Sequence, residues 1–283
     1  MRKVITFILI LTYSAITFAN EKKPDRESTV FDETFSWQVQ AGLSLRYSSF
    51  LIKEIEQDRL SHYIAPLVLV DFYYRGFFIQ SNHRRADTFS QGAELGYQLK
   101  VADNWELDLI SKTYLPGFDA KKIIDFYNRD MPILSGLNKR DAGDGLGLRY
   151  SHYNENNSFS VDIASLTPLS DAQGWLTEVF YSHIVPYRNW DIYFNTGLTI
   201  YQDSIVNYYI GVTESEANQY RDKYSTGAGF RAQFEIFAQQ PINESWTFNL
   251  GLSHNIYSEN IANSPITTGH NVTQAMIGVL YVF

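Results

Sequence analysis

Phe230-Arg231-Ala232-Gln233-Phe234-Glu235-Ile236 is followed, after a break at Gln239 to Asn243, by Trp246-Thr247-Phe248-Asn249-Leu250-Gly251-Leu252-Ser253. In both stretches every second residue is apolar, and the residues between are polar or glycine. Period two places alternate side chains on opposite faces of an extended strand. The polar face here carries Arg231 and Glu235, so it cannot lie against an ordinary apolar core. Two such strands joined by a short turn read as a hairpin with one greasy face and one charged face.

The same pattern recurs along the chain. Trp37, Val39, Ala41, Leu43, Leu45 and Tyr47 alternate with Gln38, Gln40, Gly42, Ser44 and Arg46. Ala93 to Val101 and Trp190 to Ile200 repeat it. Twelve stretches are expected, near 36–47, 63–74, 76–83, 90–101, 104–114, 142–153, 157–165, 174–185, 189–201, 226–238, 244–256 and 268–283. Their connections sort by parity. Even-numbered strands are followed by short turns, such as Arg75-Gly76 and Ala102-Asp103, and odd-numbered strands by longer loops, such as 115–141 and 202–225. An even strand count with short turns at one end and long loops at the other is the pattern of an outer-membrane barrel. The expected fold is therefore all-β: a closed antiparallel transmembrane β-barrel of about twelve strands, with short periplasmic turns and longer extracellular loops. In lipid every backbone N–H and C=O must be paired internally, so such a sheet has to close on itself.

Composition agrees. The 283 residues are 45% hydrophobic and 16% aromatic, which excludes a disordered chain. After the first 20 residues no apolar run is long enough for a spanning helix, which needs roughly 20 residues. With no cysteine there is no disulfide framework. A net charge of -8 argues against nucleic acid as a partner.

Met1-Arg2-Lys3, an apolar stretch from Val4 to Leu11 and Thr17-Phe18-Ala19 together read as a secretory signal peptide over residues 1–19, cleaved near Ala19. Residues 20–35 read as a flexible periplasmic lead-in, and 36–283 as the barrel. The expected location is the outer membrane, with membrane lipid and the barrel-insertion machinery as partners. Trp37, Tyr47, Trp105, Trp190 and Trp246 fall at strand ends, where interfacial girdles form. Expected lumen charges include Arg46, Glu94, Lys100, Glu106, Asp108, Lys112, Arg149, Asp162, Asp191, Arg231 and Glu235. They would pair and close the lumen, or line a narrow aqueous path. The last strand alternates through Ala275, Ile277, Val279 and Tyr281 to a terminal Phe283, which resembles the insertion signal of outer-membrane barrels.

Two segments carry a closer resemblance. Asn207-Tyr208-Tyr209-Ile210-Gly211-Val212, with Ala217 and Tyr224 after it, resembles a loop motif of the MipA/OmpV family. Ser264-Pro265-Ile266, then Gly269, Gln274, Tyr281 and Phe283, resembles that family's C-terminal signature. Pro66 and Phe77-Phe78-Ile79 are similar to its early segment, whereas Tyr47-Ser48-Ser49-Phe50 departs from its proline-bearing first loop. The resemblance implies a non-enzymatic outer-membrane scaffold that brings a periplasmic murein hydrolase and a murein synthase together. A narrow diffusion channel is the alternative reading.

Two expectations concern loops and chemistry. Thr213-Glu214-Ser215-Glu216 fits a capping box, which predicts a short helix over about 214 to 222, with Gly211 supplying a sharp turn before it. That loop either caps the barrel mouth or offers Tyr208, Tyr209 and Tyr220 to a ligand or partner. Ser61-His62, Ser151-His152, Ser182-His183 and Ser253-His254 suggest a hydrolase. On a strand, however, adjacent side chains point apart and cannot act as nucleophile and base. The six histidines show no close pair at metal-ligand spacing, so neither a metal nor another cofactor is expected.

Overall fold

The computed structural model describes residues 35–81 and 92–283. Its twelve strands are β1 (Ser36–Ser48), β2 (Ile64–Tyr74), β3 (Phe77–Gln80), β4 (Glu94–Val101), β5 (Trp105–Leu115), β6 (Gly143–Asn154), β7 (Asn157–Ser165), β8 (Trp175–Tyr187), β9 (Trp190–Tyr201), β10 (Gly229–Pro241), β11 (Trp246–Tyr257) and β12 (Asn271–Val282). Each pairs antiparallel with its neighbours in sequence, and β1 pairs with β12, from Gln40 opposite Val282 to Ser48 opposite Gln274. The sheet is a closed barrel and leaves no edge. The observed spans follow the expected ones to within a few residues. Parts of the third and fourth expected strands, between 82 and 91, lie outside the described residues, as do the expected signal peptide and the expected lead-in up to Thr34.

Among the described residues three short α-helices decorate the long loops: α1 (Ala120–Tyr127), α2 (Asp203–Ile210) and α3 (Glu259–Ala262). The expected helix over 214–222 is absent, and a turn stands there instead. The capping contact does form, since Glu216 accepts from the Thr213 amide at 3.0 Å. An Asn218–Arg221 bridge then turns the chain back, and no apolar stripe follows to hold a helix down. Helix forms one segment earlier because Ile205, Val206, Tyr209 and Ile210 share a face and are buried.

The two faces of the sheet segregate as the alternation requires. Leu43, Val68, Ile163 and Phe234 are exposed on the outside. Ser44, Asp108, Ser151, Asp162, Asn195 and Gln233 are buried within. Among the described residues no helix is long and apolar enough to cross a membrane. The closed sheet, with its backbone groups paired strand to strand, is the element suited to lipid.

Trp37, Trp105, Trp190 and Trp246 all stand within the first two residues of odd-numbered strands and therefore ring the short-turn end. Trp105 lies 5.9 Å from Tyr150, Trp190 5.9 Å from Phe248, and Trp246 5.1 Å from Tyr281, ring centre to ring centre. Such amphipathic rings suit the boundary between lipid and water. Lys100 is a correction. The register shifts between Gln98 and Lys100, so Lys100 pairs with Leu107 and shares its outward face. It is not a lumen residue. Its ammonium sits 5.2 Å from the centre of the Trp105 ring, within the girdle.

Candidate functional site: a stoppered mouth above a charged belt

The inward side chains of β4 to β10 form a belt of alternating charge. Arg149 on β6 reaches Glu94 on β4 at 2.9 Å and donates to both oxygens of Asp162 on β7, at 2.7 and 2.9 Å. Lys112 on β5 lies 2.9 Å from Asp162 and 2.9 Å from Glu178 on β8. Arg231 on β10 comes within 3.7 Å of Glu178 and 3.3 Å of the Thr199 hydroxyl. Several of these links skip strands: Glu94–Arg149 passes over β5, and Lys112–Glu178 passes over β6 and β7. They are chords across the lumen rather than rungs along the wall. Buried charges need such partners, because an uncompensated ion in low dielectric is costly.

Above the belt, at the long-loop end, α2 descends into the barrel. Its Ile205, Val206, Tyr209 and Ile210 pack on Ile110, Tyr114, Ala164, Leu166 and Leu176. The inner face of β6 is kept flat to receive them. Gly143, Gly145 and Gly147 alternate there, and side chains at these positions would collide. A Cβ at Gly143 would lie 2.8 Å from the Tyr209 hydroxyl, and one at Gly145 would lie 2.9 Å from the Tyr114 ring. A second apolar layer covers the first, joining Ala120, Tyr127, Met131, Leu134 and Leu137 to Val212 and Ile266.

Polar contacts fasten this stopper. Tyr209 donates to the Asp141 carbonyl at 2.7 Å, and the Tyr208 hydroxyl accepts from the Asp141 amide at 2.9 Å. The Glu216 carboxylate accepts from Arg140 at 2.8 Å, from the Asn138 amide at 2.9 Å and from the Thr213 hydroxyl at 2.9 Å. Burial pushes the Glu216 carboxyl up, but the Thr213 and Asn138 hydrogen bonds and the Arg140 charge together outweigh it. The acid is held down at about 2. Arg221, 2% exposed, donates to the Glu216 carbonyl at 3.0 Å. Burial lowers the pKa of its guanidinium. Burial also raises the Tyr209 phenol, so it remains a donor.

The structure brings most of the motif residues together in this fastening. Val212 and Tyr224 form a β-bridge, and the Tyr224 hydroxyl donates to the Asn260 carbonyl at 2.9 Å. Ser264 donates to the Ile210 carbonyl at 2.7 Å, and the Pro265 carbonyl accepts from Lys53 at 2.9 Å. Gly211 ends α2 where a Cβ would stand 2.4 Å from the Asn207 carbonyl oxygen. Close approach therefore demands glycine there, in extended backbone. Gly269 takes a φ of +132°, which side chains resist. Ala217 donates its amide to the Thr213 carbonyl at 3.1 Å. Tyr220 stands apart, exposed at the surface.

Among the lumen charges, Arg149 and Arg231 enter the belt. Glu235 lies deeper and accepts from Asn195 at 2.7 Å. Asp191 sits by the short turns, 3.5 Å from the Gln239 amide nitrogen, and does not join them. At the chain's end Tyr281 and Phe283 meet edge to face, ring centres 4.8 Å apart, and the Phe283 amide donates to the Val39 carbonyl at 2.9 Å, tying the last residue to β1. Val279 pairs with Leu43 on the outer face. In the strand-borne Ser-His pairs the serines Ser151, Ser182 and Ser253 are buried inside, and the adjacent histidines lie on the other face. His183 contacts Asn157, and His254 contacts Thr273.

Three features escape a reading by alternation. Glu178 sits on a strand whose inner face also carries Leu176 and Phe180, which blurs the period. The Gly143-x-Gly145-x-Gly147 spacing was the legible sign of a packed inner surface. Glu216, Arg140 and Arg221 meet only because distant loops converge.

A family model described as MltA-interacting protein MipA matches residues 53–283. A protein of Escherichia coli (strain K12), named as outer membrane protein YiaT, is 23% identical over 199 residues, covering 70% of this chain and 78% of that protein. Among solved structures, the NanC porin is 9% identical with a TM-score of 0.37, covering 87% of this chain and 99% of that one. The outer membrane channel DcaP of Acinetobacter baumannii is 7% identical with a TM-score of 0.40, covering 88% and 97%. These superpositions are loose, and the strand ladders themselves establish the barrel.

Proposed function

Because the chain belongs to the family of the MltA-interacting protein MipA, and is an outer-membrane barrel, we propose that it acts as a non-enzymatic scaffold of the envelope. Its partners in this reading are a periplasmic murein hydrolase and a murein synthase. The observation that supports it is the stoppered mouth: α2 packs into the lumen, two apolar layers cover it, and the belt charges pair in chords beneath. A barrel built to pass solutes keeps polar groups available along its path. Here Glu94, Lys112, Arg149 and Asp162, which would line a path, are spent on one another. Contact with periplasmic enzymes then falls to the short-turn face, which carries Arg75-Gly76, Glu155-Asn156 and Arg188-Asn189, and to the segment that precedes β1.

The test uses the absence of cysteine. A single cysteine at Asn189, on a short turn, and another at Tyr220, on a long loop, carry a photo-crosslinker in intact cells. Capture of murein hydrolase or synthase from position 189 and not from 220 is the expected result. Capture from neither position overturns the scaffold reading. The folded barrel in a planar bilayer is expected to be silent. Steady, reproducible conductance would move the protein to the diffusion-channel reading.

A further inference from the structure

The stopper does not fill the mouth. A cavity of about 260 Å³ lies between α2 and the strand ends of β1, β5 and β9 to β12. Protein interiors leave few voids larger than a water molecule. Apolar walls around such a space accept apolar guests. The loop and helix side is apolar, formed by Leu51, Ile52, Ile205, Ile210 and Ile261. The strand side supplies Arg231 and Gln274, with Val272 beside them. Among the described residues Arg231 is the charged side chain that lines the space, and no carboxylate lines it.

We infer that this cavity binds a small monoanionic amphiphile, its apolar body against α2 and Leu51 and its acid head against Arg231 and Gln274. The guanidinium is oriented by Glu178 at 3.7 Å and by the Thr199 hydroxyl at 3.3 Å. An arginine has five N–H donors in a planar fork, enough to serve a carboxylate as well. The apolar wall supplies affinity by burial, and the single cation supplies the choice of sign. This goes beyond the scaffold reading and does not depend on it. A silent scaffold and a ligand-holding barrel differ in what the mouth contains, not in what the turns contact.

Octanoate is the probe, with octanol and octylammonium as matched controls, on the full chain in lipid nanodiscs by saturation-transfer NMR. Octanoate is expected to bind and octylammonium is not. Arg231→Gln is expected to weaken octanoate roughly tenfold or more while leaving octanol unchanged. Val272→Phe fills the space and is expected to abolish the signal. If that variant loses its heat-resistant folded form on a gel, Leu51→Trp, from the partly exposed loop, takes its place. Equal octanoate signal in the wild type and in the folded filling variant would place the probe in the lipid and overturn the proposal. Octylammonium binding as well as octanoate would overturn the assigned head group.

Discussion

At the scale of single residues, the stopper hangs on Glu216. Its side chain answers two backbone amides, one hydroxyl and one guanidinium contributed from two separate stretches of loop, 138–140 and the turn at Thr213. Glu216→Gln removes the charge opposite Arg140, which is itself buried. Breaking a buried pair from one side costs about 3–5 kcal/mol. Faster amide exchange at Asn138 and Thr213, with the strand ladders unchanged, is the expected result. The pH dependence has a definite sign. The folded acid lies at about 2, below its ordinary value of 4.5, so the latch is fully stabilising above pH 4.5. That stabilisation is lost as pH falls from 4.5 towards 2. Exchange at the same two amides, followed through that window, checks it. Constant protection down to pH 2 would show that the charge of Glu216 does not hold the loop.

At the scale of elements, α2 and β6 fit each other by subtraction. The helix brings Tyr209 and Ile205, and the strand withholds side chains at 143, 145 and 147. Gly143→Val is expected to push Tyr209 off its Asp141 partner at a cost of about 1–3 kcal/mol, as overpacking does. Single-channel recording should then show openings that the wild type lacks. The outer face obeys a different rule, because lipid rather than protein surrounds it. Leu43, near the middle of β1, is 63% exposed. Leu43→Arg is expected to cost about 2–4 kcal/mol of stability in lipid vesicles, by denaturant unfolding. A neutral result there would mean that this face does not meet the bilayer.

At the scale of the whole molecule, the belt ties together strands far apart in sequence. Arg149 links three of them, and Glu94 and Asp162 would lose their shared cation in Arg149→Gln. That variant is expected to lose its compact, fast-migrating form on a gel at a lower temperature than the wild type. A substitution at exposed Tyr220 should not move it. The terminal residue belongs to this scale too, since Phe283 closes the β1–β12 seam against Val39. Phe283→Ala is expected to lower the yield of inserted barrel several-fold while leaving the inserted fraction equally heat-resistant. Equal yield would remove the insertion role assigned to Val279, Tyr281 and Phe283.

The barrel was legible in the chain because alternation is a local signal. A strand such as Trp190 to Ile200 declares its two faces without any knowledge of its neighbours, and the parity of loop lengths then sets the order. The locations of Arg149 and Arg231 inside, and of four tryptophans at one end, follow from the same counting. Counting failed where one extra residue slipped the register, as it did between Gln98 and Lys100. It also failed where a capping box promised a helix that no packing surface was there to receive. Pairing of Glu216 with Arg140, of Lys112 with Glu178 across two strands, and of Tyr209 with the space above Gly143 depends on distances that no local pattern encodes. Those contacts arise when a closed sheet brings distant loops over one mouth. The outward face of this protein was thus determined by its sequence, and the closing of its interior by its tertiary structure.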